Sequence, residues 1–471
     1  MREKIYIRAD GSLNIGLGHL MRCIALAQML TPEFEPILVC QHIPKSIMDD
    51  LNKAGFEVIL VENEDDFFSL ISNKDMVVLD DYSFDIDYQK KVKSLSGKLI
   101  FIDDLHEMEF VADLIINHAP GVSQSDYCAI ESTQYALGLD YVLLRPAFLE
   151  QARKKREIRG IQSVMICFGG GDYKNLTLST TKAIMAFEQF REIVVITGPA
   201  YDHLESLKSL ISKDSRINHY HSLNEDEMLA LMLRAQLAIV PSSGILFETL
   251  AAGCIVISGT YAENQRIIFE RFLQSGAFEN AGNFLEKDIV EAVKSVLSNS
   301  GGNKRLIDGE SSKRILRKVL GLTISLRDVK SDDCKLLFSW ANEPGVRMNA
   351  INNNQIEWDE HVAWFSRILS GGNSRIFILE RSGKPAGQAR FDLKGDHCII
   401  DYSVDKDYRG KGLGKLMLEK SIDRIGKASF KAIVKTENIS SIAVFKSLNF
   451  EEVENYVDNS IEYKVFQLNN N

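Results

Sequence analysis

KIYIRADGSLNIGLGHLMRCIALAQML (4–30) begins with a β-rich run, turns through Gly11, Gly16 and Gly18, and continues into a segment whose apolar positions Met21, Ile24 and Leu30 share one helical face. Strand, glycine turn and helix form the first half of a βαβ unit. Runs of the same kind recur at helix-length intervals: EPILVC (35–40), EVILVE (57–62), MVVLDD (76–81), KLIFIDD (98–104) and DLIINH (113–118). Short apolar strands spaced in this way indicate a parallel sheet covered by helices on both faces. The first third therefore reads as a Rossmann-like domain, 1–152.

After RKKREIRG (153–160), a charged segment suited to a linker, the rhythm restarts with SVMICFGGGD (163–172), EIVVITG (192–198), QLAIVPSSG (236–244) and CIVISG (254–259). This is a second Rossmann-like domain, 153–302. Two doubly wound halves imply a cleft, with ligands bound beyond the carboxyl ends of the strands. The pair resembles the GT-B architecture of glycosyltransferases. NSGGNK (299–304) marks a break, and KRILRKVLG (313–321) reads as a closing helix within a linker, 303–321. LTISLRDV (322–329) opens a third domain, 322–471: a strand, helices around 332–343 and 357–370, strands RIFILE (375–380), GQARFDL (387–393) and HCIIDYSV (397–404), then a glycine-rich turn into a helix. The class is α/β, a GT-B-like pair followed by an α+β domain.

A chain of 471 residues suits about three domains, and its 45% hydrophobic and 25% charged content is that of an ordinary globular protein. A net charge of −10 argues against a nucleic-acid partner, which draws on clustered Lys and Arg. The cysteines stand singly, without zinc-site spacing or a disulfide framework, and read as reduced thiols. The first residues enter a strand directly, and no run reaches the roughly 18 apolar residues of a spanning helix. The expectation is a cytoplasmic protein with no membrane partner; protein partners are not legible.

Glycines in a strand-to-helix turn let a phosphate approach backbone N–H groups, and the helix N-terminus adds its positive dipole end. Such a turn alone suits a purely structural role equally well. His19 stands at the start of the helix, where the dipole disfavours the imidazolium and leaves a neutral ring able to act as a base. Its other reading is a capping or core-edge histidine. The set Arg8, Ala9, Asp10, Gly11, Ser12, Ile15, Gly16, Gly18, His19, Met21, Arg22 and Cys23 resembles the signature of the UDP-2,4-diacetamido-2,4,6-trideoxy-β-L-altropyranose hydrolases of pseudaminic acid synthesis, a resemblance extending over about the first 300 residues. It implies that His19 activates water for inverting attack on the anomeric carbon, with UDP leaving and no metal. Asp10, Gly16, Gly18 and Arg22 are then expected to bind the UDP-sugar. The chemistry agrees: UDP leaves well when its charge is stabilised, so a base, an oriented water and donors around the diphosphate suffice.

In ICFGGGDYKN (166–175), Gly169, Gly170 and Gly171 again follow a strand and suit a phosphate. PSSGILFETLAAGCIVISG (241–259) places Ser242, Ser243 and Gly244 before a helix bearing Glu248, and YAENQ follows with Glu263, Asn264 and Gln265. This run resembles the nucleotide-binding end of GT-B enzymes related to the lipid II-forming N-acetylglucosaminyltransferase. It implies that Glu248 holds the ribose, with Ser243, Asn264 and Gln265 at the same ligand. A capped helix is the structural reading, and both hold together. Asp80, Asp81, Tyr82, Asp103, Asp104 and Asn117 lie at strand ends, where sugar-binding groups are expected. Asp85-Ile86-Asp87 matches the metal-binding DxD triplet of a different glycosyltransferase fold. Such triplets are frequent and no metal is expected here.

IIDYSVDKDYRGKGLGKLMLEKSID (399–423) carries Arg409, Gly410, Lys411, Gly412, Leu413 and Gly414 between a strand and a helix. It resembles the R/Q-x-x-G-x-G/A pyrophosphate loop of the GNAT acetyltransferases, which implies acetyl-CoA as cosubstrate, gripped by consecutive N–H groups. The preceding strand, through Asp401 and Val404, is then expected to splay around the pantetheine arm. TENISSIAVFKSLNF (436–450) matches the downstream element, with Asn438 in place and Asn449-Phe450 for the usual Gly-Phe. One departure stands out. Phe445 occupies the position where many of these enzymes carry a tyrosine as general acid, so another group, such as Tyr456, supplies the proton or the thiolate leaves unassisted. Candidate bases are Glu357, His361, Asp392 and Asp401; Glu357 and His361 also read as a solvated helix face at i, i+4 spacing. The segment from SLRDV (325–329) to HVAWF (361–365) resembles the amino-sugar N-acetyltransferases of the same pathway. That implies 4-N-acetylation of UDP-4-amino-4,6-dideoxy-N-acetyl-β-L-altrosamine, whose product is the hydrolase's substrate. The competing reading is a GT-B glycosyltransferase passing a sugar to an acceptor, fused to an acetyltransferase for a different amine.

Overall fold

Strand Glu3–Ala9 lies between two parallel neighbours, Phe34–Cys40 and Met76–Asp80, and this placement organises the N-terminal sheet. The computed structural model describes residues 2–12, 16–298 and 305–470; Ile15 and the NSGGNK break lie outside the described residues. The chain forms two compact units, Met1–Val319 and Leu320–Asn471. KRILRKVLG lies in the helix Ser311–Thr323, which contains the division.

The first unit holds two parallel sheets. One has seven strands in the order Glu57–Leu60, Phe34–Cys40, Glu3–Ala9, Met76–Asp80, Lys98–Ile102, Leu114–Asn117 and Gln134–Leu137. The other has six: Ile217–His221, Glu192–Thr197, Ser163–Cys167, Leu237–Pro241, Ile255–Gly259 and Glu279–Asn280. The central strands are buried almost throughout, as at Ile5, Ile7, Val77 and Ile239, because helices cover both faces. Each such side chain contributes roughly 1.5–3 kcal/mol on burial. The order of each sheet reverses once, between Glu3–Ala9 and Met76–Asp80 in the first and between Ser163–Cys167 and Leu237–Pro241 in the second. A crevice opens at the carboxyl ends of strands flanking such a reversal. The segments that leave those ends carry His19, Asp80, Gly169 and Ser243.

Edge strands escape an apolar-run reading. Ile217–His221 carries Asn218, His219 and His221 and is only partly buried, and the edge strand Glu451–Asp458 is almost wholly exposed. Neither needs a continuous apolar run, since an edge strand buries little.

The second unit is built on a seven-stranded sheet in the order Ile324–Asp328, Ser374–Arg381, Lys384–Lys394, His397–Val404, Ala428–Lys435, Ile461–Asn470 and Glu451–Asp458. All neighbours are antiparallel except His397–Val404 with Ala428–Lys435. That parallel pairing covers only His397↔Ser429 to Ile399↔Lys431, so the strand from Ile400 to Val404 has no ladder partner on this side. The stretch expected as a helix around 332–343 is two helices, Cys334–Ala341 and Pro344–Asn349. Pro344 cannot continue the first of them, and the Glu343 side chain caps the second by accepting from the Gly345 and Val346 amides. With Trp358–Leu369 they border a core of Leu337, Trp340, Phe365, Ile376 and Ile378.

Candidate active sites

Asp80 ends its strand fully buried, and three side chains of the neighbouring helix Gly18–Leu30 converge on its carboxylate. His19 Nδ1 donates to Oδ1 at 2.7 Å, Arg22 Nη2 to Oδ1 at 2.5 Å and Nε to Oδ2 at 2.7 Å, and the Cys23 thiol to Oδ2 at 3.3 Å. A carboxylate can only accept, so Nδ1 donates in this contact, and a neutral ring in that tautomer has its lone pair on Nε2; Arg22 Nη2, 3.0 Å from the same Nδ1, gives its proton to Asp80 Oδ1 instead. Arg22 Nη1 reaches Asp104 Oδ2 at 2.7 Å, and the same oxygen accepts from the Tyr82 hydroxyl at 3.2 Å. The Tyr82 ring meets the imidazole edge-on at 4.6 Å. Burial pushes the Asp80 carboxyl up, but Arg22 and then His19 outweigh it and hold it well below the ordinary carboxylate value. The charge environment of His19 is therefore set by Asp80 and Arg22 as well as by the helix terminus.

A cavity of about 140 Å³ opens at this network, bordered by His19, Arg22, Tyr82, Asp104, Leu105 and Met108. Asp104 Oδ1 faces no hydrogen-bond partner among the described residues. Asp81 lines the same cavity, and its carboxylate accepts from the Ser83 amide and hydroxyl. Asp103 holds the loop beyond it, accepting from the His106 amide and the Tyr127 hydroxyl. Asn117 is turned inward to the Tyr127 hydroxyl and the Ala119 amide.

Two residues expected at the ligand are committed to the protein itself. Asp10 accepts from buried Arg8 at 2.7 Å and from the Gln41 and His42 amides, so its carboxylate shapes the turn. Arg22 has every guanidinium nitrogen on the two carboxylates, which makes it a scaffold for His19 and Asp104. The turn itself closes through Gly16 N to Ser12 O at 2.9 Å, with Gly16 at φ +92.

The second sheet presents its own loops to the same cleft. A side chain at Gly170 would stand 3.5 Å from Leu17 Cδ1, so the two glycine loops touch; Gly169 is at φ +81. Burial and Asp104 push the pKa of the Tyr82 hydroxyl up, and Asn264 of the other sheet, which faces that hydroxyl, pulls it down by less, whereas buried Gln265 holds its own loop by accepting from the Tyr261 amide at 3.0 Å. Glu248 accepts from Arg145 at 2.8 Å. Burial pushes its carboxyl up, against the pull of Arg145.

The helices starting at Gly18 and Gly244 share a feature. Neither has a side-chain cap or an acidic residue in its first turn. The helices after Asn63 and Asn224 have both. Ser243 occupies the N-cap position without a side-chain cap bond, so the expected serine cap is not formed. Uncapped helix starts leave N–H groups free for an anion. Asp85 is a capping residue too, accepting from the Tyr88 amide. Among the described residues no group of three or more His, Cys, Asp or Glu side chains could hold a metal ion, and no helix is long and apolar enough to cross a membrane.

Sequence reasoning missed His118. It ends the strand run DLIINH, stacks 4.3 Å from Phe247 of the second sheet and accepts from the Leu143 amide through Nδ1. Burial, reinforced by the charge of Arg22, pushes its imidazole down to about 3. The signal was available: it occupies a strand end on the ligand side of the sheet.

In the second unit, Gly410 and Gly412 both sit at φ +77, a conformation that an L side chain adopts only with strain. Gly412 precedes the helix Leu413–Ile425, which Leu413 anchors in the core. Arg409 Nε donates to Val404 O at 2.9 Å and its Nη2 pairs with Glu343, tying the loop to the preceding strand. Lys411 lies over the Tyr408 ring. Asn438 caps the helix Ile439–Ser447 by accepting from the Ser441 amide at 3.1 Å.

The candidate bases separate. His361 is buried among Phe338, Trp364 and Phe365 and donates Nε2–H to Cys334 O at 2.9 Å. It is a core histidine, neither a base nor part of a solvated face, because this side of its helix packs on the aromatic cluster. Glu357 is the exposed N-cap residue of that helix. Asp392 is paired with Arg390 and Ser374, and Asp401 lies across from Arg390 at 3.7 Å. Tyr456 stacks on Tyr463 in the terminal hairpin, while Tyr402 is the tyrosine against Phe445.

A mixed sheet with one parting strand pair and a positive-φ glycine loop at that opening defines an acetyltransferase fold. The sequence profile of the acetyltransferase (GNAT) family matches residues 337–450, within this domain. The chain is also similar, at 25% identity, to an uncharacterized protein of Methanocaldococcus jannaschii, with 98% of this chain and 99% of that one covered. UDP-2,4-diacetamido-2,4,6-trideoxy-beta-L-altropyranose hydrolase of Campylobacter jejuni is 23% identical over 56% of this chain and 93% of its own length. L-amino acid N-acyltransferase MnaT of Escherichia coli is 30% identical over 27% of this chain and 79% of its own. The chain thus joins a stretch related to a UDP-sugar hydrolase to a domain of acetyltransferase fold.

Proposed function

We propose that the chain performs two consecutive steps of pseudaminic acid synthesis in the cytoplasm. Residues 322–471 transfer acetyl from acetyl-CoA to the 4-amino group of UDP-4-amino-4,6-dideoxy-N-acetyl-β-L-altrosamine. Residues 1–152 and 153–302 then hydrolyse UDP-2,4-diacetamido-2,4,6-trideoxy-β-L-altropyranose to UDP and free sugar. The observation that carries the hydrolase reading is the His19–Asp80 pair at the sheet's reversal point, facing a second glycine loop across the cleft.

Asp80 orients the ring so that Nε2 can take a proton from water as the oxygen attacks the anomeric carbon. The C–O bond to UDP breaks with its electron pair on the leaving diphosphate. The uncapped N-termini at Gly18 and Gly244, with the Gly169–Gly170 loop, supply N–H donors where that charge develops. Ser243 and Glu248 take the nucleoside end. Tyr82, Asn264 and the unpartnered Asp104 Oδ1 take the sugar, the last as acceptor for an amide N–H. In the acetyltransferase domain, the N–H groups of Arg409 to Gly414 grip the pyrophosphate, and the unpaired edge from Ile400 to Val404 receives the pantetheine arm.

NMR of the purified protein with acetyl-CoA and the amino sugar tests both steps. The expected result is a new N-acetyl signal followed by UDP and free diacetamido sugar, with His19→Ala stopping at the acetylated nucleotide sugar. Acetylation without UDP release by the wild-type protein refutes the hydrolase and makes the cleft that of a glycosyltransferase awaiting its acceptor.

A further inference from the structure

We propose that the Tyr402 hydroxyl protonates the coenzyme A sulfur as it leaves, the proton-donor role for which Phe445 has no hydroxyl. The inference rests on acetyl-CoA being the acyl donor.

Acyl transfer to an amine forms a C–N bond, breaks the C–S bond and leaves the electron pair on sulfur. A proton must reach that sulfur. Tyr402 lies in the stretch Ile400–Val404 where the strand has parted from its parallel neighbour. Its ring meets Phe445 edge-on at 5.8 Å, and a side chain added at Gly414 would stand 3.2 Å from its Cε2. The phenol is therefore wedged between the start of the glycine-loop helix and the helix Ile439–Ser447. Its hydroxyl lies 3.1 Å from Ser441 Oγ, one turn before Phe445.

Strand alternation places the rest of the chemistry. Asp401 is in register with Arg390, whose guanidinium lies over the Trp364 ring, so both occupy the face of the helix Trp358–Leu369. Tyr402 occupies the opposite face. The amine proton is then lost to solvent on the Asp401 face, while the sulfur receives its proton from Tyr402. The resulting phenolate is reprotonated from solvent through Ser441. Burial pushes the Tyr402 phenol up, against the Ser441 hydrogen bond, so the group stays loaded with its proton at neutral pH.

The test is calorimetry of the full chain with coenzyme A and acetyl-CoA, at neutral pH and at a pH above the ionisation of the free coenzyme A thiol. A donor aimed at sulfur makes coenzyme A bind tighter as its thiol ionises, by about tenfold, whereas acetyl-CoA, with no ionisable sulfur, shows no such rise. Tyr402→Phe should abolish the rise, leave acetyl-CoA binding within about threefold, and lower kcat roughly 10²-fold. Adding Phe445→Tyr to that variant should restore at least tenfold. Persistence of the rise in Tyr402→Phe, or equal weakening of both ligands, overturns the assignment in favour of a packing role. Failure of the wild-type protein to bind acetyl-CoA overturns the acyl-donor reading and the assignment with it.

Discussion

Asp80→Asn removes one charge and changes almost no volume, so its effect isolates what the buried carboxylate does. Four donor groups converge on Asp80, and an asparagine can accept with only one of its two terminal atoms. If the amide oxygen takes the Oδ1 position, it satisfies His19 and Arg22 Nη2, but the NH₂ opposes Arg22 Nε. In the flipped arrangement the NH₂ donates to His19 Nδ1, which moves the ring proton to Nε2 and removes the base. Either way the imidazolium formed during the reaction loses its counter-charge. A carboxylate in this relation to a catalytic histidine is worth roughly 10³–10⁴ in kcat. Breaking a buried ion pair costs about 3–5 kcal/mol, with the lower end expected because Asp104 still holds Arg22. This corresponds to a Tm lower by roughly 5–10 °C. The folded carboxyl lies below its ordinary value of 3.8, so its contribution is complete above about that pH and is lost on further acidification. The variant should therefore be less stable at neutral pH and lose less on acidification. UDP release and thermal melts, with acetyl transfer as the internal control, measure all of this. A folded Asp80→Asn protein releasing UDP within tenfold of wild type refutes the orienting role.

His118 titrates near 6.5 in the unfolded chain and near 3 in the fold, so the unfolded state takes up the proton first and stability falls as pH drops below about 6.5. The slope approaches ~1.4 kcal/mol per pH unit. His118→Asn, whose amide oxygen can still accept from Leu143 N–H, should flatten the urea midpoint between pH 7 and 5, and an unchanged slope refutes the account. Gly412→Ala places a Cβ at φ +77 and costs about 1–2 kcal/mol of loop strain. Calorimetry should show about tenfold weaker acetyl-CoA binding with UDP release unchanged; unaltered binding refutes the loop's role.

How much of this was legible in the chain depends on whether a feature is local. The strand–glycine–helix segments are, because a parallel strand buried on both faces must be apolar throughout and its turn must admit φ values that only glycine takes freely. The pairing of His19 with Asp80 spans 61 residues and follows only from strand order. Once strands Glu3–Ala9 and Met76–Asp80 are neighbours at a reversal, the residues leaving their ends must share one crevice. His118 requires one step more, since its ring is defined by Phe247 of the other sheet. Residue type misled where burial decided: His361 looks like a base at i, i+4 from Glu357, yet the aromatic cluster around it makes it core. Tyr402 shows the converse. Alternation along HCIIDYSV already separates Asp401 from Tyr402, but which face carries the glycine-loop helix is settled by the register Arg390↔Asp401 and by Gly414 beside the phenol. The side chains that a sequence conceals are thus those whose chemistry is assigned by a neighbour from another element, and both candidate sites are built from such pairs.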